Sequence, residues 1–108
     1  MALSKDEVIK MVTGFLVVVR QKHDVKQAYL FGSFAKGVTQ EHSDIDLAII
    51  LGNLDVNQAP PFDEYFRIFH AAQEYSSLIE VVCFLEEEFD KDGGALVKQI
   101  KKEGIRLV

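Results

Sequence analysis

The sequence predicts an α/β protein of the α+β type, a small mixed β-sheet packed with helices. Three observations predict it. Stretches with apolar residues at helical spacing alternate with short, almost continuous apolar runs along the 108 residues, the order expected of helices laid on a sheet. Leu47-Ala48-Ile49-Ile50-Leu51 is apolar at every position, as in a central strand covered on both faces. Apolar residues make up 48% and charged residues 27% of the chain, a balance that places it among foldable globular chains and away from disordered ones.

Ser4 and Glu7 stand at capping-box spacing and open a first helix. Val8, Met11, Val12, Phe15 and Val19 form its apolar stripe, and Leu16, Val17 and Val18 widen it. Cover on more than one side is therefore expected, from the sheet and from a partner. Gly14 weakens this helix by roughly 1 kcal/mol relative to alanine. Residues 25–31 read as a short buried strand that stops at Gly32, after which Ser33 caps a helical turn through Lys36 and residues 38–43 form a loop. Residues 44–51 are a second strand, and residues 52–61 a polar loop or flap. Pro61 suits the first turn of the next long helix, in which Phe62, Tyr65, Phe66, Phe69 and Ala72 recur at helical spacing and read as core. Residues 78–85 are a third strand, 86–92 an acidic solvated turn, and Leu96, Val97 and Ile100 mark a last helix that stops near Gly104. Residues 105–108 are expected to add an edge strand.

Composition excludes several functions. The formal net charge is -5, which repels a polyanionic backbone, so general nucleic-acid binding is not expected. Lys98, Lys101 and Lys102 read as a solvated helix face. With Cys83 the only cysteine, no intrachain disulfide forms, and inside an apolar run it behaves as a small buried hydrophobe. There is no signal-peptide pattern and no apolar run long enough to span a bilayer, so a cytoplasmic protein without membrane contact is expected. A length of 108 residues fits one domain and leaves room for a protein partner or a homo-oligomer. His23, His42 and His70 lack metal-ligand spacing, and neither a P-loop nor a dinucleotide fingerprint is present.

The chemistry concentrates in two short stretches. Asp44 and Asp46, two apart at the start of a strand, point to one side, while Ile45 and Leu47 face the other. Left unpaired at the mouth of an apolar strand, two carboxylates repel each other and lose solvation. A divalent cation removes both costs, and magnesium prefers such hard oxygen ligands. An isolated Asp-x-Asp is more often a solvated turn, but here Gly32-Ser33 lies just upstream. Gly32 allows a tight turn and a close ligand, and the amides after it, with the Ser33 hydroxyl, suit a phosphate. Glu80 interrupts the apolar run of the third strand. It is either an edge-strand charge facing water or a third carboxylate beside the aspartates, able to ligate metal and to act as general base.

Gly32-Ser33-Phe34-Ala35-Lys36-Gly37, followed by Ser43-Asp44-Ile45-Asp46-Leu47, resembles the signature of the polymerase-beta-like nucleotidyltransferase superfamily, most closely its minimal nucleotidyltransferase (MNT) members. The resemblance implies a nucleotidyltransferase-like fold, with residues 1–108 as one minimal domain. It implies Gly32, Ser33 and Lys36 at the triphosphate, and Asp44, Asp46 and Glu80 as catalytic acids on Mg2+, two ions in the family pattern. Lys36 departs from the arginine common there, keeping the charge but not the planar fork. The implied reaction is nucleotidyl transfer, most naturally adenylyl transfer from ATP, to a hydroxyl. Short members commonly accompany an all-helical HEPN toxin and act as its antitoxin, so AMPylation of a partner tyrosine is implied. The alternative is a module that neutralises its partner by contact alone.

Overall fold

Helices and strands follow the apolar periodicity of the chain. The computed structural model describes residues 4–32, 44–52, 61–91 and 94–108, without the side chains of Pro61 and Phe62. The elements are α1 (Lys5–Lys22), β1 (Val25–Phe31), β2 (Ile45–Leu51), α2 (Pro61–Tyr75), β3 (Ile79–Leu85), α3 (Glu86–Lys91), α4 (Ala95–Glu103) and β4 (Ile105–Arg106). The capping box forms as the sequence predicts: the Glu7 amide donates to Ser4 Oγ and the Ser4 amide to Glu7 Oε1. The turn proposed for residues 33–36 and the loops at 38–43 and 53–60 lie outside the described residues.

The sheet is small and mixed, in the order β3-β2-β1-β4. β1 pairs antiparallel with β2 and with β4, whereas β2 and β3 run parallel, a pairing that requires a crossover; α2 lies in it. Because side chains alternate across a strand, β2 divides its burial between two faces. Ile45, Leu47, Ile49 and Leu51 join Val8, Phe15 and Ile68 on the α1/α2 side. Ala48 and Ile50 join Phe31, Phe89, Val97 and Ile100 on the α3/α4 side. The central placement expected of an all-apolar strand is thus observed, and the core is two apolar layers separated by the sheet.

Four expectations change. Residues 86–91 form a helix, not a solvated turn: Phe89 is buried against Tyr29 and Phe84, with ring centroids 5.6 and 5.8 Å away. Three glutamates in its first turn complement the positive end of the helix dipole, and a Lys91–Glu87 pair at 2.7 Å spans its turn. On α2 the buried face is Ile68 and Ala72, with Tyr65 beside them, while Phe66 and Phe69 are 62% and 40% exposed. Helical spacing alone did not distinguish the buried stripe from the flank next to it. On α1, Leu16 is buried but Val17 and Val18 are exposed, so the described elements cover one stripe only. Cys83 is half-buried, since β3 is an edge strand; the burial it has pushes its thiol up to about 12.

Two contacts invisible to periodicity join α1 to α2. His23 Nδ1 lies 2.6 Å from Glu64 Oε1 in a part-buried pair. Gly14 leaves a notch for the Tyr75 hydroxyl, which would stand 2.6 Å from a Cβ there. Among the described residues no helix is long and apolar enough to cross a membrane. Phe89→Ala is expected to lower unfolding free energy by about 3–5 kcal/mol in denaturant titration; a solvated turn at this position would make the change almost silent.

Candidate functional site

The end of β1 and the starts of β2 and β3 meet at one end of the sheet. Strand register sets what happens there. Asp46 stands opposite Phe31 of β1 and Glu80 of β3, and neighbouring strands lie about 4.8 Å apart. Register partners point to the same face, so Asp46 and Glu80 are neighbours on the α3/α4 side, while Ile45 and Leu47 are fully buried on the other. Asp44 is exposed, one residue before β2. Glu80 is a water-facing charge on an edge strand, as one of the two readings had it, and it stands in register with Asp46.

Electrostatics tie the three acids together. Burial, then the charge of Asp44, raises the Asp46 carboxyl above its ordinary range. The Asp44 charge is the largest influence on Glu80, followed by burial, the Asp46 charge and a side-chain hydrogen bond with Asp44, all raising it. Asp46 and Glu80 therefore bind a proton, or another cation, more readily than they would alone.

Gly32 supports this cluster in an unforeseen way. Its φ is +75°, in the left-handed region, and a Cβ there would collide with the Asp46 carboxylate. The room expected for a ligand is, in part, room for the acid. Ser33 and Lys36, the other phosphate-binding candidates, lie outside the described residues. Phe31, buried and in register with Asp46, closes the inner side of the site. No local motif marks it; only the pairing register does.

Three carboxylates form a hard-oxygen donor set that suits magnesium chemically. Among the described residues no group of three His, Cys, Asp or Glu side chains is drawn close enough to hold a metal by itself. The arrangement is open, and suits an ion that takes further ligands from water and polyphosphate oxygens.

Solved structures resemble the fold. A Sulfolobus solfataricus protein provisionally described as a nucleotidyltransferase aligns over 94% of this chain and 80% of its own, with a TM-score of 0.57 and 16% identity. A chain of a toxin-antitoxin complex with AMP-PNP aligns over 89% of this chain and 72% of its own, with a TM-score of 0.63 and 18% identity. At such identities the likeness establishes the architecture alone: a nucleotidyltransferase-like sheet-and-helix fold. The family model for polymerase beta nucleotidyltransferases matches residues 16–108, and the chain belongs to that family. A Methanocaldococcus jannaschii protein with the provisional name protein adenylyltransferase is 34% identical over 61 residues, 56% of this chain and 58% of that protein. The match thus spans less than two thirds of that relative.

Raised acids favour folding at low pH, and that contribution is lost as pH rises through the raised values. In metal-free protein, Asp46→Asn is therefore expected to raise Tm by a few degrees at pH 7 and by much less near pH 4, measured by calorimetry. Gly32→Ala is expected to cost at least about 1–2 kcal/mol for its backbone conformation, read by denaturant titration.

Proposed function

We propose that this chain transfers a nucleotidyl group, adenylyl by preference, from ATP to a hydroxyl on a partner protein, and thereby acts as an antitoxin of the minimal nucleotidyltransferase type. Residues 1–108 would act as one catalytic domain in the cytoplasm. The observation that carries the reading is the register of Asp46 with Glu80, with the Asp44 charge acting on both. Family membership supports the reaction class. The name of the M. jannaschii relative supports a protein acceptor, and the toxin-antitoxin complex with AMP-PNP supports ATP and a toxin partner.

Asp44, Asp46 and Glu80 would hold magnesium, whose role is to neutralise charge on the triphosphate and on the attacking oxygen. Gly32 and Ser33 would place backbone amides and a hydroxyl at the phosphates, with Lys36 adding positive charge. The acceptor oxygen attacks the α-phosphorus, the bond to the bridging oxygen breaks, and pyrophosphate leaves. The proton of the acceptor passes to Glu80, a raised carboxyl facing water at the sheet edge and therefore suited to take it. The partner is a small all-helical HEPN-type protein, and a tyrosine hydroxyl on it is the acceptor.

Incubation with ATP, magnesium and the candidate partner should raise the partner's mass in steps of one AMP. Glu80→Gln is expected to slow transfer by about 10²–10⁴-fold, and the double change Asp44→Ala, Asp46→Ala to abolish it. Unchanged neutralisation of the partner by that double variant would instead establish a module acting by contact alone.

A further inference from the structure

Among the described residues the sheet ends at β3, yet β3 has the composition of an interior strand. Val81, Val82, Cys83, Phe84 and Leu85 are apolar on both faces and only half-buried. Soluble proteins generally blunt such an edge with charge, proline or a covering element. Here the two ends of the edge are blunted and its middle is not. The Ile45 amide donates to the Leu78 carbonyl at 2.7 Å, so even-numbered residues of this strand turn their backbone groups toward β2 and odd-numbered ones turn theirs outward. At one end Gln73 Nε2 donates to the outward Ile79 carbonyl at 2.7 Å. At the other the outward Leu85 amide donates to Glu88 Oε1 at 3.0 Å. Between them, Val81 and Cys83 present two amides and two carbonyls along the open edge. Beside this window the exposed flank of α2 adds an apolar groove of about 300 Å³, lined by Tyr65, Phe66, Phe69, Val81 and Cys83.

We propose that this edge pairs with the same edge of a second copy, antiparallel about a two-fold axis at Val82. The open window is self-complementary about that residue. Val81 exchanges both of its hydrogen bonds with Cys83 of the second copy, and Cys83 with its Val81, four bonds in all. Each blocked end then meets the opposite kind: the Gln73 amide of one copy falls beside the Glu88 carboxylate of the other, donor against acceptor. Glu80 lies across from Phe84 of the second copy, so no glutamate of β3 faces its twin. A long foreign strand would meet the Gln73 and Glu88 side chains at both ends; a second copy places its own open window opposite this one. Charge agrees with this choice. Copies of a chain with net charge -5 repel each other, but the described residues that line the groove include no Asp, Glu, Lys or Arg, and the nearby Glu88 accepts a hydrogen bond from the Tyr65 hydroxyl. On α2, Asp63, Arg67 and Glu74 lie off the flank that Phe66 and Phe69 form.

Size sets the strength. A seven-residue edge is about 23 Å long, and a sheet layer with its helix layer is roughly 20 Å deep. That makes about 450 Å² per copy and about 900 Å² in total, below the standard range for stable complexes. The dimer is accordingly weak and concentration-dependent, and independent of the nucleotidyl-transfer reading.

Sedimentation equilibrium of the full chain, from micromolar to millimolar concentration, should give a monomer–dimer equilibrium. Phe66→Glu with Phe69→Glu, both at exposed positions, should weaken it at least tenfold while leaving the melting curve of dilute protein unchanged. Val82→Cys in a Cys83→Ser background should form a disulfide-linked dimer on oxidation. Position 82 faces itself as a non-hydrogen-bonded pair with Cα atoms about 4.5 Å apart, within disulfide reach. Val17→Cys in the same background should not cross-link. A monomer throughout the range, a dimer indifferent to the two added charges, or a dimer that cross-links at position 17 and not at 82 would overturn the proposal.

Discussion

The parallel pairing of β2 with β3 is the constraint on which the rest depends. A side chain changes face with every residue along a strand, so a slip of one position would send Glu80 to the α1/α2 side and leave Asp46 without its neighbour. What prevents the slip is apolar. Ile45, Leu47, Ile49 and Leu51 are wholly buried on one side, with Ile79 beside them, and Ala48 and Ile50 are wholly buried on the other. Sliding β3 would expose apolar groups on both faces at once. The hydrophobic layers therefore align the acids, though they share no atom with the chemistry.

That alignment comes at an electrostatic cost. The Asp44 charge makes it harder for Asp46 and Glu80 to lose a proton, the Asp46 charge adds to this at Glu80, and Asp46 is also part-buried. The tension is local: at the other end of the sheet, Lys26 of β1 lies 3.6 Å from Asp24 and the charges there are of opposite sign. The same tension makes the cluster receptive to a cation, which is why the acids read more naturally as a binding site than as a structural ion-pair network.

Much of this was legible in the residues. Helix α1, the three longer strands and the start of α2 at Pro61 follow from capping chemistry and apolar spacing. Asp44 and Asp46 stand out because two charges lead an otherwise apolar strand, and Glu80 because it breaks another. What could not be read was anything that requires two segments to meet. The acidic stretch 86–91 looks solvated until Phe89 finds Tyr29 and Phe84 across the sheet. Phe66 and Phe69 carry the same spacing signal as a core stripe, and only the position of β3 beneath Ile68 and Ala72 decides which flank is left outside. The acid that takes the place of a Cβ at Gly32 is likewise a fact about β1 and β2 together.

Gly14 illustrates how far such a meeting can reach. In sequence it is a blemish in a helix, but in space its bare backbone admits the tip of Tyr75, whose ring lies 5.6 Å from that of Phe15. This keyway fixes how far α2 slides along α1. Since only a tight turn, in which the Ile79 amide bonds back to the Ser76 carbonyl, separates Tyr75 from β3, the same key governs the height at which β3 enters the sheet. A residue on the opposite side of the sheet from the acids thus acts as a vertical adjustment for Glu80.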